Sequence, residues 1–182
     1  MSSIGKEYLT TVIRRLKYYK DLGDKAFEQL EDKDLYFQPT ETSNSIAIIV
    51  QHMAGNMISR FTNFLTMDGE KEWRQRDDEF ETHDYSRQQL IEIWEKGWNC
   101  FFNSLQSLTE EDLLKIVYIR KEPLTVVDAI NRQLAHYPHH IGQILFIGKI
   151  IKGEKWKSLS IPKGESLSYN IGSQPKDPAN KF

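Results

Sequence analysis

Apolar residues recur at three- and four-residue steps in four long segments, and this helical periodicity constrains the fold more than any other feature. The periodicity predicts helices over about 4–30, from the cap residues Thr42-Ser43-Asn44 to about 67–69, over 86–108, and over 126–152. Thr125 is predicted to cap the last of these helices, and Gly153 follows its end. Four long helices in one chain favour an all-α fold with the architecture of a four-helix bundle.

The segments between and after the helices have their own predicted roles. Residues 70–85 are polar and aromatic and predict an ordered loop that forms a long crossover between helices. This loop either covers a functional site with Arg74, Arg76 and Asp77 or is a surface turn pinned by Trp73 and Phe80. Residues 117–124 resemble a strand and fit a small hairpin or an extended crossover closed by Pro123. Residues 156–170 indicate an ordered tail. We therefore predict one domain over 1–170 and a flexible terminus over 171–182.

Composition limits the classes of function. The 182 residues include 24 basic and 26 acidic side chains, a formal net charge of −2, so nucleic-acid binding is not expected as the main function. Cys100 is the single cysteine, which favours a reducing compartment. The first residues lack an apolar signal-peptide core, and the longest apolar run, 46–50, is far shorter than the roughly 20 residues that span a membrane. These features predict a cytoplasmic protein that does not associate with membranes.

The histidines carry the strongest functional signal. His136 and His140 are four residues apart on the last long helix and therefore project from one face, the spacing by which one helix can offer two imidazoles to a metal. His52 interrupts an apolar run on the second helix. If the two helix faces meet, three imidazoles converge on a divalent ion, and zinc, nickel, iron or manganese would accept them.

Three further polar residues accompany this predicted histidine triad. Asn56 lies one turn after His52, Gln143 lies beside the His136–His140 face, and His139 points away from it. We expect these three residues to surround the metal ligands or to orient a substrate. The open alternative is that the histidines are satisfied core or surface residues of a purely structural bundle that binds nothing.

Two other residues leave alternatives open. Pro138 lies between the two helical ligands, and it can either produce a kink or bulge that aims the imidazoles or be a tolerated kink without a role. Cys100 lies among aromatic residues with no basic neighbour in sequence, so a buried structural thiol is favoured over a nucleophile.

Several stretches of the chain resemble the DinB-like superfamily of metal-binding bundles, which includes bacillithiol S-transferases. They are residues 49–53 (IVQHM) with Asn56, and residues 136–144 (HYPHHIGQI). Residues 68–77 (DGEKEWRQRD), 131–136 (NRQLAH) and 156–164 (WKSLSIPKG) look like an uncharacterised bacterial branch of that superfamily. The resemblance covers roughly residues 1 to 170.

The resemblance implies a four-helix bundle, commonly a homodimer, with a metal held by one histidine of the second helix and two of the fourth. These positions match His52, His136 and His140. By the same resemblance, we expect an enzyme that transfers a low-molecular-weight thiol such as bacillithiol to a small electrophilic substrate. Metal-dependent hydrolysis is the second candidate reaction. A non-catalytic metal-binding or dimerisation module of a stress response is the third possibility. The catalytic residues stay unassigned.

Overall fold

The computed structural model describes residues 3–182 and is predominantly helical, with a small antiparallel hairpin. The elements follow one another as α1 (Ile4–Gln29), α2 (Ile46–Phe61), α3 (Arg87–Gln106), β1 (Ile116–Ile119), β2 (Glu122–Thr125), α4 (Val126–Lys152) and α5 (Ser166–Ile171). The all-α prediction is confirmed in this form. Within residues 3–182, each helix is either too short or too polar to be a membrane span.

The four long helices begin where a hydroxyl side chain can satisfy a free backbone N–H. Ser3, Ser45, Ser86 and Thr125 each accept a hydrogen bond from the backbone N–H three residues later. The cap at Thr125 is as predicted. Helix α2 begins after Ser45 rather than after Thr42-Ser43-Asn44.

The predicted end of α2 was too late by about six residues. The helix ends at Phe61, and Asn63 adopts a positive φ of 52°, which turns the chain away from the helix axis. The carbonyl of Asn63 then accepts the N–H groups of Thr66 and Met67. Phe64 is nevertheless buried. The apolar periodicity of the sequence therefore extends beyond the end of α2, which explains why the predicted helix was too long.

The strand-like segment forms a hairpin in which Pro123 lies within β2, opposite Tyr118, instead of closing the strand. The turn residues Arg120 and Lys121 both have positive φ, as the tightest hairpin turns require. The Asp68 carboxylate accepts the backbone N–H groups of Arg120 (2.9 Å) and Lys121 (2.7 Å). These bonds stabilise the turn and attach the hairpin to the segment that follows α2.

Packing brings α2 beside α3, α1 beside α4, and α2 beside α4 over a shorter length. Trp94, Trp98 and Phe101 of α3 and Tyr137 of α4 are fully buried at the centre. Gly97 of α3 permits a close approach to α2, because a Cβ there would lie 2.8 Å from the Ala54 Cα. The contact between α2 and α4 positions the functional side chains.

The remaining predictions concern single residues and the tail. Helix α4 continues as an α-helix through Pro138. Cys100 is partly buried, with Sγ 3.6 Å from Thr62 Oγ1. Near the terminus, Ala179 is fully buried and Asp177 pairs with Arg15 of α1 at 2.8 Å. Residues 171–182 therefore contact the helical body; their flexibility and the domain boundary at 170 stay predictions.

Candidate metal centre

Three imidazoles meet where α2 contacts α4. His52 Nε2 lies 3.3 Å from His136 Nε2, and His140 Nε2 lies 3.0 Å from the same atom. One ring nitrogen from each histidine lies within 4.8 Å of the others. His52 is buried, whereas His136 and His140 are partly buried. The predicted convergence of the two helix faces is therefore present in the structure.

Two of the rings are oriented by hydrogen bonds at the nitrogen that faces away from the cluster. His52 Nδ1 lies 3.1 Å from Glu79 Oε2, and His140 Nδ1 lies 2.7 Å from Gln143 Oε1. Both partners are oxygen acceptors, so each Nδ1 carries the proton and donates it. Each Nε2 consequently presents a lone pair to the centre of the cluster.

The protonation states of the two imidazoles on α4 suit cation binding. Burial, together with the neighbouring imidazoles, lowers the pKa of His136 to about 3. Burial also lowers the pKa of His140 to about 4, against a raising effect of the bond to Gln143. Both rings are therefore neutral at pH 7, which is the form in which histidine binds a metal.

Glu79 is held in place by Arg74, whose side chain is almost completely buried. Arg74 Nε donates to Glu79 Oε1 at 2.7 Å and Nη2 donates to Oε2 at 2.8 Å, a bidentate pair. Burial alone would raise the pKa of Glu79, but the hydrogen bonds from Arg74 and His52 outweigh it and keep this pKa below the usual value. Glu79 is thus an ionised carboxylate that orients the His52 ring through the hydrogen bond at Nδ1.

The crossover loop therefore covers the site. Besides Glu79 and Arg74, it brings the ring of Phe80 to 4.8 Å from that of His52, centroid to centroid. Trp73 is more than half exposed, so it does not pin the loop. The simpler interpretation, a surface turn held by Trp73 and Phe80, is not what the contacts show.

The three predicted surrounding residues have different positions. Gln143 orients His140 and also contacts His139 through Nε2 at 3.3 Å. Asn56 is buried and accepts a hydrogen bond from the Tyr137 hydroxyl at 3.1 Å. His139 is exposed, and its nitrogen does not belong to the cluster.

Sequence reasoning missed Glu79, which lies in a polar loop with several other acidic residues and has no distinguishing periodicity. It also missed an arginine-lined pocket of about 170 Å³ whose lining includes two of the imidazoles. His52, Asn56, Gln133 and His136 also line it. The arginines are Arg60, Arg74, Arg76, Arg120 and Arg132. They are dispersed between positions 60 and 132, so only the folded chain reveals them as one group.

Fold and site together define a class of protein: a helical protein with three converging imidazoles, two of which line a polar pocket. The chain belongs to the family described as Protein of unknown function (DUF1572), whose model matches residues 3–165. No curated protein and no solved structure matches the chain. The matched range includes helices α1 to α4 and every residue of the site, and the family's description assigns them no reaction.

Proposed function

We propose that His52, His136 and His140 hold one divalent metal ion and that the protein is a metal-dependent enzyme. In this proposal, helices α1 to α4 form a four-helix bundle of the DinB-like kind. The observation that carries it is the approach of three Nε2 atoms to one point, at 3.0 and 3.3 Å for the two pairs that share His136. The resemblance of the histidine motifs to DinB-like proteins supports the same assignment.

The donor set fits a cation for a chemical reason. With the protons on Nδ1 of His52 and His140, both of their Nε2 atoms present lone pairs towards His136. One Nε2–H of a neutral His136 can satisfy only one of them, whereas a cation between the rings would accept all three nitrogens. Nitrogens bound tetrahedrally at about 2.0–2.1 Å from zinc are about 3.3 Å apart, close to the distances found here. Three neutral nitrogens suit zinc, nickel, iron or manganese and leave positions free for a small molecule.

We propose thiol S-transfer as the reaction class, in which a low-molecular-weight thiol of the bacillithiol type attacks an electrophile. A divalent ion at such a site lowers the pKa of a thiol and favours the thiolate nucleophile. The chain's own contribution is positional. Glu79 and Gln143 keep protons at Nδ1 of His52 and His140, and Phe80 covers the His52 ring and limits access of water.

The first experiment measures metal binding directly. Protein purified without chelator should contain stoichiometric metal, and after its removal, added zinc or nickel should raise the melting temperature by mass action. The His136→Ala variant should lose this response. His83→Ala is the matched control, because this imidazole contacts Asp78 and lies outside the cluster. Absence of metal from the wild type, with an unchanged melting temperature, would overturn the proposal.

The second experiment separates the reaction classes. Metal-loaded protein is incubated with a low-molecular-weight thiol and a model electrophile, and conjugate formation is followed by mass spectrometry. Transfer that requires added metal and disappears in folded His136→Ala supports S-transfer. Metal-dependent hydrolysis of model esters without conjugate formation would favour the hydrolase. Metal binding with neither reaction would favour the non-catalytic module.

The assembly state is a separate element of the proposal. We propose a homodimer, because the superfamily that the chain resembles commonly forms one. Light scattering coupled to gel filtration should give twice the 21.4 kDa chain mass. A single-chain mass at every concentration would contradict the dimer without affecting the metal proposal.

A further inference from the structure

The pocket beside the imidazoles has an unusual charge. Its five arginines come from four parts of the fold: Arg60 from α2, Arg74 and Arg76 from the crossover loop, Arg120 from the hairpin turn, and Arg132 from α4. Because this protein is slightly acidic as a whole, the accumulation of cations at one pocket is not a consequence of composition. Such a cluster repels itself unless anions lie within it.

The chain supplies only part of the compensating charge. Glu79 pairs with Arg74 at 2.7 Å, and Glu70 pairs with Arg60 at 2.9 Å and Arg120 at 3.2 Å. Within residues 3–182, neither Arg76 nor Arg132 has a carboxylate within 4.0 Å. Both of these side chains are on exposed residues and line the pocket, so they are available to a ligand that enters from solvent.

A second observation identifies another ligand contact. Gln133, one residue from Arg132, also lines the pocket and is only 1% exposed. Its Oε1 is buried and has no hydrogen-bond partner among residues 3–182. A buried carbonyl oxygen without a donor is costly and uncommon in folded proteins. A hydroxyl or an N–H of a bound molecule would satisfy it.

We infer that the pocket binds the anionic group of the substrate, a carboxylate or phosphate, and that a hydroxyl or N–H of the same molecule donates to Gln133 Oε1. Guanidinium groups recognise the oxygens of both anions through paired hydrogen bonds. His52 and His136 line the same pocket, so a substrate anchored at the arginines has its other end at the imidazoles. The inference rests on the proposed function, since it names the substrate class of that site.

Calorimetry on the full-length protein tests the inference, with malonate, hydroxymalonate and inorganic phosphate as probes. Malonate and phosphate distinguish the carboxylate from the phosphate source. Hydroxymalonate adds only one hydroxyl to malonate and should bind more tightly because that hydroxyl can reach Gln133. The Gln133→Met variant should abolish this preference while it still binds malonate. Affinity should decrease as salt increases.

Arginine variants provide the decisive comparison. Arg76→Gln and Arg132→Gln should each weaken binding of the preferred anion by about tenfold, the loss expected for one charge-assisted hydrogen bond. Lys149→Gln is the matched control, because this exposed lysine is on α4 with Arg132 but does not line the pocket. Its affinity for the anion should equal that of the wild type.

A direct metal–anion bond is the competing explanation, and His136→Ala separates it. Anion binding that persists in folded His136→Ala but weakens in the arginine variants supports the inference, even if metal analysis has overturned the proposed function. Binding that is lost in His136→Ala and unchanged in both arginine variants would assign the anion to the metal alone. That result, or no binding of any probe to the wild type, would overturn the inference.

Discussion

Glu79 Oε2 lies 3.1 Å from His52 Nδ1, on the edge of the ring opposite the nitrogen that faces His136. A residue of the crossover loop thus determines the tautomer of an imidazole on α2. Since Glu79 is itself held by both hydrogen bonds from Arg74, loop, helix α2 and imidazole cluster form one connected polar network.

Replacement of Glu79 should therefore weaken metal binding without abolishing it. Glu79→Gln retains the size of the side chain but removes the charge that favours a proton on His52 Nδ1, so we expect metal affinity to decrease by about 10- to 100-fold. Competition with a chromogenic chelator measures the affinity. Glu81→Gln, an exposed neighbour, should behave as the wild type. Equal affinities for the two variants would show that Glu79 does not orient the ligand.

A side chain added at Gly55 should weaken metal binding indirectly, by displacing Glu79. Gly55 lies on α2 beside Glu79, and a Cβ at this position would overlap the Glu79 carboxylate. Gly55→Ala should displace that carboxylate from His52 and weaken metal binding. The double variant Gly55→Ala/Glu79→Gln should then lose less than the sum of the two single effects, as for residues that act through one contact. Additive losses would indicate independent mechanisms.

Two glycines in helices should respond oppositely to alanine. In Gly97→Ala, the new methyl would meet Ala54 of α2 at 2.8 Å from Cα, so we expect a loss of about 1–3 kcal/mol in the free energy of unfolding. At Gly142 of α4, an added methyl would have no neighbouring atom within 4 Å, so Gly142→Ala should gain up to about 1 kcal/mol from helix propensity. Urea midpoints measure both changes. Similar effects at the two positions would contradict the close approach of α2 and α3.

Tyr8 should make stability fall at alkaline pH. Burial, followed by the nearby Asp128 charge, raises the pKa of Tyr8 from 10.0 to about 12, while its hydroxyl donates to Asn131 Oδ1 at 2.7 Å. The unfolded chain therefore releases this proton at lower pH than the folded protein. The stabilisation is complete below pH 10 and is lost as the pH rises towards 12.

Unfolding midpoints measured between about pH 9 and pH 12, a range set by those two pKa values, check this expectation. The wild type should lose more stability across the range than Tyr8→Phe, which has no proton to release at this position. Parallel pH profiles for the two proteins would refute the assignment.

The amino-acid sequence by itself was sufficient to predict where the long helices lie and to select the three histidines as candidate ligands. Apolar periodicity and capping hydroxyls are local properties, so the four long helices follow from short-range physics. The spacing of His136 and His140 likewise depends only on helix geometry. The end of α2 was misplaced because Phe64 is buried by a turn rather than by a helix, and a local pattern does not separate the two.

Only the tertiary structure decided what surrounds the histidines. Glu79 and the five arginines have no periodicity, and they meet because the loop folds over α2 and the hairpin is fastened to Asp68. Gln133 lies one turn before His136 in the sequence, but only the structure shows that its Oε1 is buried without a hydrogen-bond partner among residues 3–182. Contacts between residues far apart in the chain depend on the packing of whole elements, which no local pattern encodes.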